Sequence, residues 1–417
     1  MYFKIFWQRQ TEKMPSRCAR GFIQRFPIII FDKASHWTPT GVQFILTVIL
    51  QQHSSLFPHE STLPRIFFPR GVVGMFYFCV TRRRFWGAAL CLALAVIGGT
   101  AVVRALAAPK KDYIRWVDFT PTTSALTAAL ERDVATHKEP VEGNYPVDWV
   151  ELLACLGAKY GGDFSRYKES HLREIAKQLE EGKSPKDILG QGPDQYFDYY
   201  MEAYGAVLGN LVGDYTVEEP DPNDPEKLIQ TAGYGLTAFC PIARGYGYSH
   251  YDDFGAGRSY GYRRKHLGND MMATVGTPVV AAEGGIVEAA GWNQYGGWRI
   301  GIRSLDGQRY WYYAHLRKGH PFAQGIAEGV EVEAGQVIGY VGMTGYSATP
   351  DTNGMSAPHL HFGLQLIFDE SQKDGNGEIW VDVYHLVNLL ERRRSTVVPG
   401  DEAGEYQRKY RLTPIRE

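Results

Sequence analysis

Hydrophobic and polar positions along this chain fall into four successive patterns. The first is an unbroken apolar run, Phe85 to Val103, "FWGAALCLALAVIGGTAVV", with no charge in 19 residues. About 20 apolar residues span a bilayer, so 82–108 is expected to be a transmembrane helix. Arg82, Arg83 and Arg84 precede the run, and the positive-inside bias leaves them in the cytoplasm and everything after residue 108 outside. A cleaved signal peptide ending at the A-x-A pattern Ala105-Leu106-Ala107 competes with this reading. The length of the run and Arg104 favour a retained anchor.

The second pattern is helical and covers 113–217. Asp148 and Glu151 form a capping signal, followed by Trp149, Leu152, Leu153 and Leu156 on one apolar face. Gly161-Gly162 stops that helix. A second stripe holds Leu172, Ile175, Ala176 and Leu179 and ends at Gly182. A third runs through "DQYFDYYMEAYGAVLGNLV". Three or so short helices make a small helical domain. It carries no catalytic constellation, which suits a spacer or docking role. The third pattern, "EEPDPNDPEK" at 218–227, is rich in Pro, Asp and Glu and predicts an extended linker over 218–232.

From 233 to 395 the period becomes two and glycine recurs every few residues. "GTPVVAAEGGIVEAAGW" predicts two strands around Glu283-Gly284-Gly285. "WRIGIRS" and "QRYWYYAHL" flank Leu305-Asp306-Gly307, a strong hairpin signal. "GVEVEAGQVIGYVGMTG" continues the alternation, and helix returns only at "VDVYHLVNLLERRR". Residues 396–417 form a tail. The fold class is therefore α+β: an N-terminal membrane helix, a small helical domain and a C-terminal antiparallel β-sheet core.

The length of 417 residues allows two or three domains. The formal net charge of -2 hides an asymmetry: residues 1–84 hold 12 of the 44 Lys and Arg but only three acids, Glu12, Asp32 and Glu60. The acidic remainder lacks the basic face that a nucleic-acid binder needs. Residues 1–74 show only short apolar runs and form an N-terminal extension. Much of it is expected not to be native protein, with translation starting near Met75. The five cysteines (18, 79, 91, 155 and 240) make no metal spacing. Cys155 and Cys240, which follow the anchor, are able to pair outside the cell, but nothing requires it.

Chemistry concentrates in the histidines of the β region. In "APHLHFGLQ", His359 and His361 share one face of a strand, about 6–7 Å apart. Upstream, His266 and Asp270 are again at an even spacing, and Gly268 with Gly276-Thr277-Pro278 argues against a helix there. His315 ends the aromatic strand and by alternation shares a face with Trp311 and Tyr313. Two histidines and one carboxylate make a zinc set with an open fourth position. The other two histidines then serve as proton donors or acceptors.

His266-x-Gly-x-Asp270, Gly276-Thr-Pro-Val279, "YYAHL", Gly342-x-Thr-Gly-Tyr-Ser347 and Pro358-His-Leu-His-Phe362 resemble, in order, the motifs of the lysostaphin- and LytM-type zinc metallopeptidases. The resemblance covers about 233–370 and says little about 1–232. It implies a β-sheet metallopeptidase core with a substrate groove and hydrolysis of peptide bonds in bacterial peptidoglycan. It also implies His266, Asp270 and His361 as zinc ligands and His315 and His359 as catalytic histidines. Two departures stand out. Asn269 occupies a usually aliphatic position, and "SATPDTNGMSAPHLHF" carries about nine extra residues, expected on the groove rim.

The combined expectation is a single-pass cell-membrane zinc metalloendopeptidase with an extracytoplasmic catalytic domain. Its cofactor is zinc and its partners are peptidoglycan and, through one helix, the membrane; nucleic acid is excluded. One alternative is a catalytically silent scaffold that binds cell wall or an envelope partner. Another is an amidase that cuts the sugar–peptide link. His250, His320 and His385 lack partners at ligand spacing. Trp292 and Tyr295 sit in a glycine-rich loop as candidate substrate contacts. Arg263-Arg264-Lys265 either attract an acidic polymer or are solvated, and Arg392-Arg393-Arg394 are expected at a solvated helix end.

Overall fold

The structure, a computed structural model, describes residues 113–259 and 263–415, together with the backbone of four short strands in 29–79. The chain divides into two units, Met1–Lys111 and Asp112–Glu417. In the first, strands β1 (Ile29–Phe31), β2 (Trp37–Thr38) and β4 (Phe76–Cys79) each pair antiparallel with β3 (Gly41–Val48). The anchor expected at 82–108 lies outside the described residues. Among the described residues no helix is long and apolar enough to cross a membrane.

The second unit opens with helices. Helix α1 (Thr123–Lys138) is capped by Thr122, and α2 (Trp149–Tyr160) by Asp148, whose carboxylate accepts from the Glu151 N–H at 2.9 Å. Helix α2 buries Trp149, Leu152, Leu153 and Leu156, and ends at Gly161 in the left-handed region. Helix α3 (Glu169–Glu180) buries the predicted stripe Leu172, Ile175, Ala176 and Leu179. A short α4 (Pro185–Leu189) and then α5 (Phe197–Leu208) follow. Cys155 and Cys240 are both free and buried. Burial pushes their thiols up, to about 12 and about 11.

Residues 218–232, expected as an extended linker, are instead paired strands. β5 (Val212–Asp221) and β6 (Asp224–Leu236) form a hairpin, and β5 also pairs with β21 (Leu412–Pro414). The Pro- and Asp-rich stretch is the hairpin tip. There the Asp221 carboxylate accepts from the Asn223 N–H at 2.8 Å, a turn-forming bond rather than a sign of an open chain. Val212, Tyr215 and Val217 anchor the base of this ribbon on the core. The tail is likewise structured: β19 (Val397–Pro399) pairs with β20 (Tyr406–Arg408), and Leu412 is buried.

The sheet that carries the site has eight strands. They are β7 (Ser249–His250), β10 (Asn269–Met272), β12 (Gly285–Asn293), β13 (Gly297–Ser304), β14 (Arg309–Ala314), β15 (Glu331–Val332), β17 (His359–Leu366) and β18 (Ile379–Val381). The order β15-β12-β13-β14-β17-β10-β7 makes β17 an inner strand, with β18 beside its far end. Two smaller pairs flank the sheet: β8 (Gly257–Arg258) with β9 (Arg264–Lys265), and β11 (Pro278–Val280) with β16 (Val337–Tyr340). Gly307, with φ 77°, makes the predicted turn between β13 and β14. Helix α6 (Tyr384–Leu390) follows β18 and precedes the paired tail strands.

The helices and the sheet share one core, so 113–217 is not a separate body. Arg309 of β14 is fully buried, and its Nη1 donates to the Ala206 carbonyl near the end of α5 at 3.0 Å. Arg392–Arg394 are also not a simple solvated helix end. Arg393 donates to the Tyr215 hydroxyl at 3.0 Å, and Arg394 to the carbonyls of Ile242 and Ala243 at 3.1 and 2.8 Å.

Candidate metal centre and active-site cleft

Alternation along β17 sets the site. Leu360, Phe362, Leu364 and Leu366 face the core and are buried, which leaves His359 and His361 on the opposite face. Across the sheet His361 stands opposite Asp270 of β10 on one side and Ala314 of β14 on the other. His266 enters from the turn between β9 and β10, where its backbone bonds to Ala256 and Gly255 at 2.8 and 2.7 Å.

Three donor atoms converge there. His266 Nε2 and His361 Nδ1 each lie 2.9 Å from Asp270 Oδ1 and 3.0 Å from each other. Carboxylate and carbonyl oxygens only accept, so a ring nitrogen facing one carries the proton. His266 Nδ1 faces the Asp253 carboxylate at 3.0 Å and its carbonyl at 3.3 Å, while Nε2 faces Asp270 Oδ1; both ring nitrogens meet acceptors, and a cation taking the Nε2 position would leave the proton on Nδ1. Arg258 Nη2 bonds Asp253 at 2.6 Å and the other Asp270 oxygen at 3.2 Å, so Oδ1 remains the oxygen directed at the imidazoles.

Burial works against the charge on Asp270, but the hydrogen bonds to His266 and His361 override it and hold its carboxyl well below the usual range. Two imidazoles and a carboxylate aimed at one point fit a small divalent cation. Ligand bonds of about 2.0–2.2 Å in a tetrahedron separate ligand atoms by about 3.3–3.6 Å, so each pair of atoms here need spread by only about 0.3–0.7 Å. His266, Asp270 and His361 could therefore hold a metal ion.

Two further imidazoles stand beside this cluster. The rings of His315 and His359 lie 4.8 Å apart, and His315 is 5.9 Å from His361. His315 Nδ1 donates to the Thr344 carbonyl at 2.8 Å and His359 Nδ1 to the Ala357 carbonyl at 2.9 Å. Each ring is thereby fixed with Nε2 as the bare acceptor. His359 Nε2 is buried, has no hydrogen-bond partner among the described residues, and lies 3.8 Å from Asp270 Oδ1. Burial, together with His359 and His361, pushes His315 down to about 3. Their Nε2 atoms, free to accept a proton, are held next to the three-donor cluster.

His315 does not share the face of Trp311 and Tyr313, as strand alternation predicts. Both aromatics are buried in the core, whereas Tyr312, Ala314 and His315 line the cleft. The reason is one backbone torsion. His315 has φ 62°, in the left-handed region, which swings its side chain to the site face as β14 ends.

All five candidate residues line one cleft of about 650 Å³. Tyr295, Tyr346 and Met355 form part of its wall, so the extra loop does reach the rim. Asp351 pins that loop by accepting from Trp298 Nε1 at 2.8 Å and the Gly319 N–H at 2.7 Å. Trp292 is not part of the wall but packs edge-on against Trp298. Asn269, behind Asp270, is buried; it donates to the Tyr251 carbonyl at 2.9 Å and contacts His250 Nδ1 at 2.6 Å. His250 and His320 are satisfied by Asn269 and Glu405, and His385 by Thr123. Asp253 and Arg258 escape a reading by spacing, because Asp253 lies 13 residues before His266 and Arg258 12 residues before Asp270. A paired acid and arginine in "YDDFGAGR" are the only hint of them in the chain.

Comparison with known proteins agrees with this geometry. Residues 264–374 match the model for peptidase family M23. The chain is 40% identical over 205 residues to the L-Ala–D-Glu endopeptidase of Bacillus subtilis, covering 47% of this chain and 59% of that protein. It is 40% identical over 120 residues to lysostaphin of Staphylococcus simulans, covering 28% of this chain and 20% of that protein. It is 34% identical over 102 residues to the peptidoglycan DD-endopeptidase ShyC of Vibrio cholerae, covering 24% and 20%. A solved structure titled as a putative glycyl-glycine endopeptidase from Ruminococcus gnavus is 22% identical, with a TM-score of 0.43 over 68% of this chain and 92% of that one. The chain thus spans 59% of the Bacillus relative and about a fifth of the others. The five cleft residues and the motifs that carry them all fall within residues 264–374, the stretch that matches peptidase family M23.

Proposed function

We propose that this chain is a zinc metalloendopeptidase that hydrolyses peptide bonds in bacterial peptidoglycan. The observation that carries the reading is the convergence of His266 Nε2, His361 Nδ1 and Asp270 Oδ1 beside two imidazoles with bare Nε2 atoms. His266, Asp270 and His361 would hold the zinc, and His315 and His359 are the catalytic pair. The substrate class is supported by the relatives, whose names specify L-Ala–D-Glu and peptidoglycan DD endopeptidases.

Zinc bound at this donor set supplies Lewis-acid polarisation of the scissile carbonyl and lowers the pKa of water at the site. The chain does the rest. His315 and His359 accept a proton at Nε2 and, once protonated, hydrogen-bond the developing oxyanion or return the proton to the departing amine. Their Nδ1 bonds to Thr344 and Ala357 keep the rings aimed throughout. Arg258 and Asp253 hold Asp270 and His266 in their ligand orientations.

The test is digestion of defined muropeptides by the full chain, followed by mass analysis. New amine termini should appear, vanish with chelator and return with zinc. His359→Ala should slow the reaction by about 100-fold or more. Stoichiometric zinc without new amine termini would favour the scaffold, and release of intact stem peptides would favour the amidase. We also infer a single-pass anchor at 82–108, with the catalytic domain outside the membrane, from the uncharged run behind Arg82–Arg84. Protease added to intact protoplasts should digest the domain; a protected domain would refute that placement.

A further inference from the structure

Arg299 of β13 lines the same cleft and has a role in none of the chemistry above. It is half-buried, and its Nη1 is shut off from solvent with no hydrogen-bond partner among the described residues. Of the other cations around the cleft, Lys265 is exposed to water. Arg258 pairs with Asp253 and Asp270, and Lys373 with Glu288, which also holds the neighbouring Arg303. A half-buried guanidinium that faces a cleft without an ion-pair partner favours an anionic ligand, and a carboxylate matches its fork.

The surroundings leave room for that carboxylate. Ile300 and Ile302 face the core, so Arg299 projects on the site face. It stands opposite Gly291 of β12. The register that places Ile300 against Tyr313 places it, one residue on, against Ala314. Ala314 in turn stands opposite His361. A row of strand positions therefore runs Asp270, His361, Ala314, Arg299, Gly291; Ala314 offers only a methyl group, and the Tyr312 ring stands beside it, edge-on to His361. Two strand spacings put the Arg299 backbone about 10 Å from that of His361, or about three residues of extended peptide.

We propose that Arg299 is a carboxylate-binding subsite, and that the cleft selects peptides carrying a free carboxylate within about three residues of the cleaved bond. The proposal rests on the reading of this cleft as a peptide site and deepens it, since it names an acidic peptide as substrate. An amidated version of the same peptide forms no ion pair with the guanidinium and binds less well.

The experiment uses the full chain with His359→Ala, loaded with zinc, so that binding is measured without turnover. Two D-Glu-containing stem peptides serve as probes, identical except that one keeps its free carboxylate and the other is the carboxamide. The carboxylate peptide should bind at least about tenfold more tightly. Adding Arg299→Gln should bring the two peptides to within about twofold, and Arg299→Lys should recover part of the preference. Equal binding of both peptides to His359→Ala overturns the subsite, even if the active protein cleaves peptidoglycan. A preference that survives Arg299→Gln overturns it as well. A preference that Arg299→Gln abolishes sustains it, even if no peptide bond is ever cut. Unchanged zinc content and thermal midpoint in Arg299→Gln exclude misfolding as the cause.

Discussion

Gly268 lies so close to His361 that a β-carbon built on it would sit 2.7 Å from Nε2 of that ring and 2.8 Å from the Phe362 carbonyl. The glycine is required here by space. His361 holds its ligand orientation because nothing projects from the turn that carries His266 past it.

Gly268→Ala should therefore push the His361 ring out of the cluster. Overpacking of this kind costs about 1–3 kcal/mol of stability, and zinc affinity should fall by about tenfold or more. Competition against a chromophoric chelator measures the second effect. Gly247→Ala, at a glycine with open space around it, is the control and should change neither quantity. Wild-type zinc affinity in Gly268→Ala would show that the turn yields without disturbing the ring.

Asp253 fixes the His266 tautomer by accepting from Nδ1 at 3.0 Å. Removing such a partner typically costs 10- to 100-fold in metal affinity. Asp253→Ala should show a loss of that order, whereas Asp253→Asn, which keeps a carbonyl oxygen, should lose less. The same chelator competition separates the two. Equal losses would mean that charge rather than ring orientation is the contribution of Asp253.

Arg309 ties the helices to the sheet. Its Nε and Nη2 fork onto the Glu283 carboxylate at 2.8 and 3.0 Å, and Trp311 Nε1 donates to the same group at 2.8 Å. Breaking a buried pair by removing one partner costs about 3–5 kcal/mol, because the other charge is left unpaired. Arg309→Ala should lose that much in denaturant unfolding. The double variant Arg309→Met, Glu283→Leu should be more stable than Arg309→Ala alone. If Arg309→Ala unfolds within about 1 kcal/mol of wild type, water reaches Glu283 and the site is not dry.

How much of this was legible in the chain depends on how local each cause is. The Asp148 cap, the α2 and α3 stripes, the turn at Gly307 and the shared face of His359 and His361 follow from neighbours within a few residues, and all appear in the fold. Helix α1 has no distinct stripe because its buried face relies on the small residues Ala125 and Ala129 beside Leu126 and Leu130. The β5–β6 hairpin was hidden because its tip has the composition of a linker, while its pairing partner Leu412–Pro414 lies near the other end of the chain. His315 faces the cleft through a single positive φ that alternation does not encode. Arg309 and Asp253 act across long sequence separations, where residue type alone says nothing about contact.

Asp306 gives the acid limb of stability a definite sign. It accepts from Arg309 Nη2 at 2.6 Å, from the Ser304 hydroxyl at 2.6 Å and from the Gln308 N–H at 3.0 Å. Burial disfavours its charge, but Arg309 and these hydrogen bonds override it, so the folded-state pKa lies below the usual value of 3.8. A group depressed on folding contributes stability that is fully present above its unfolded pKa and is lost as pH falls through the folded one. Metal-free wild type should therefore melt above metal-free Asp306→Asn at pH 6–7, and the gap should narrow as pH falls below about 4. Subtracting the two melting curves cancels the other carboxylates, which titrate in both proteins. A gap that stays constant down to pH 2 would assign the role of Asp306 to turn geometry instead of to its charge beside Arg309.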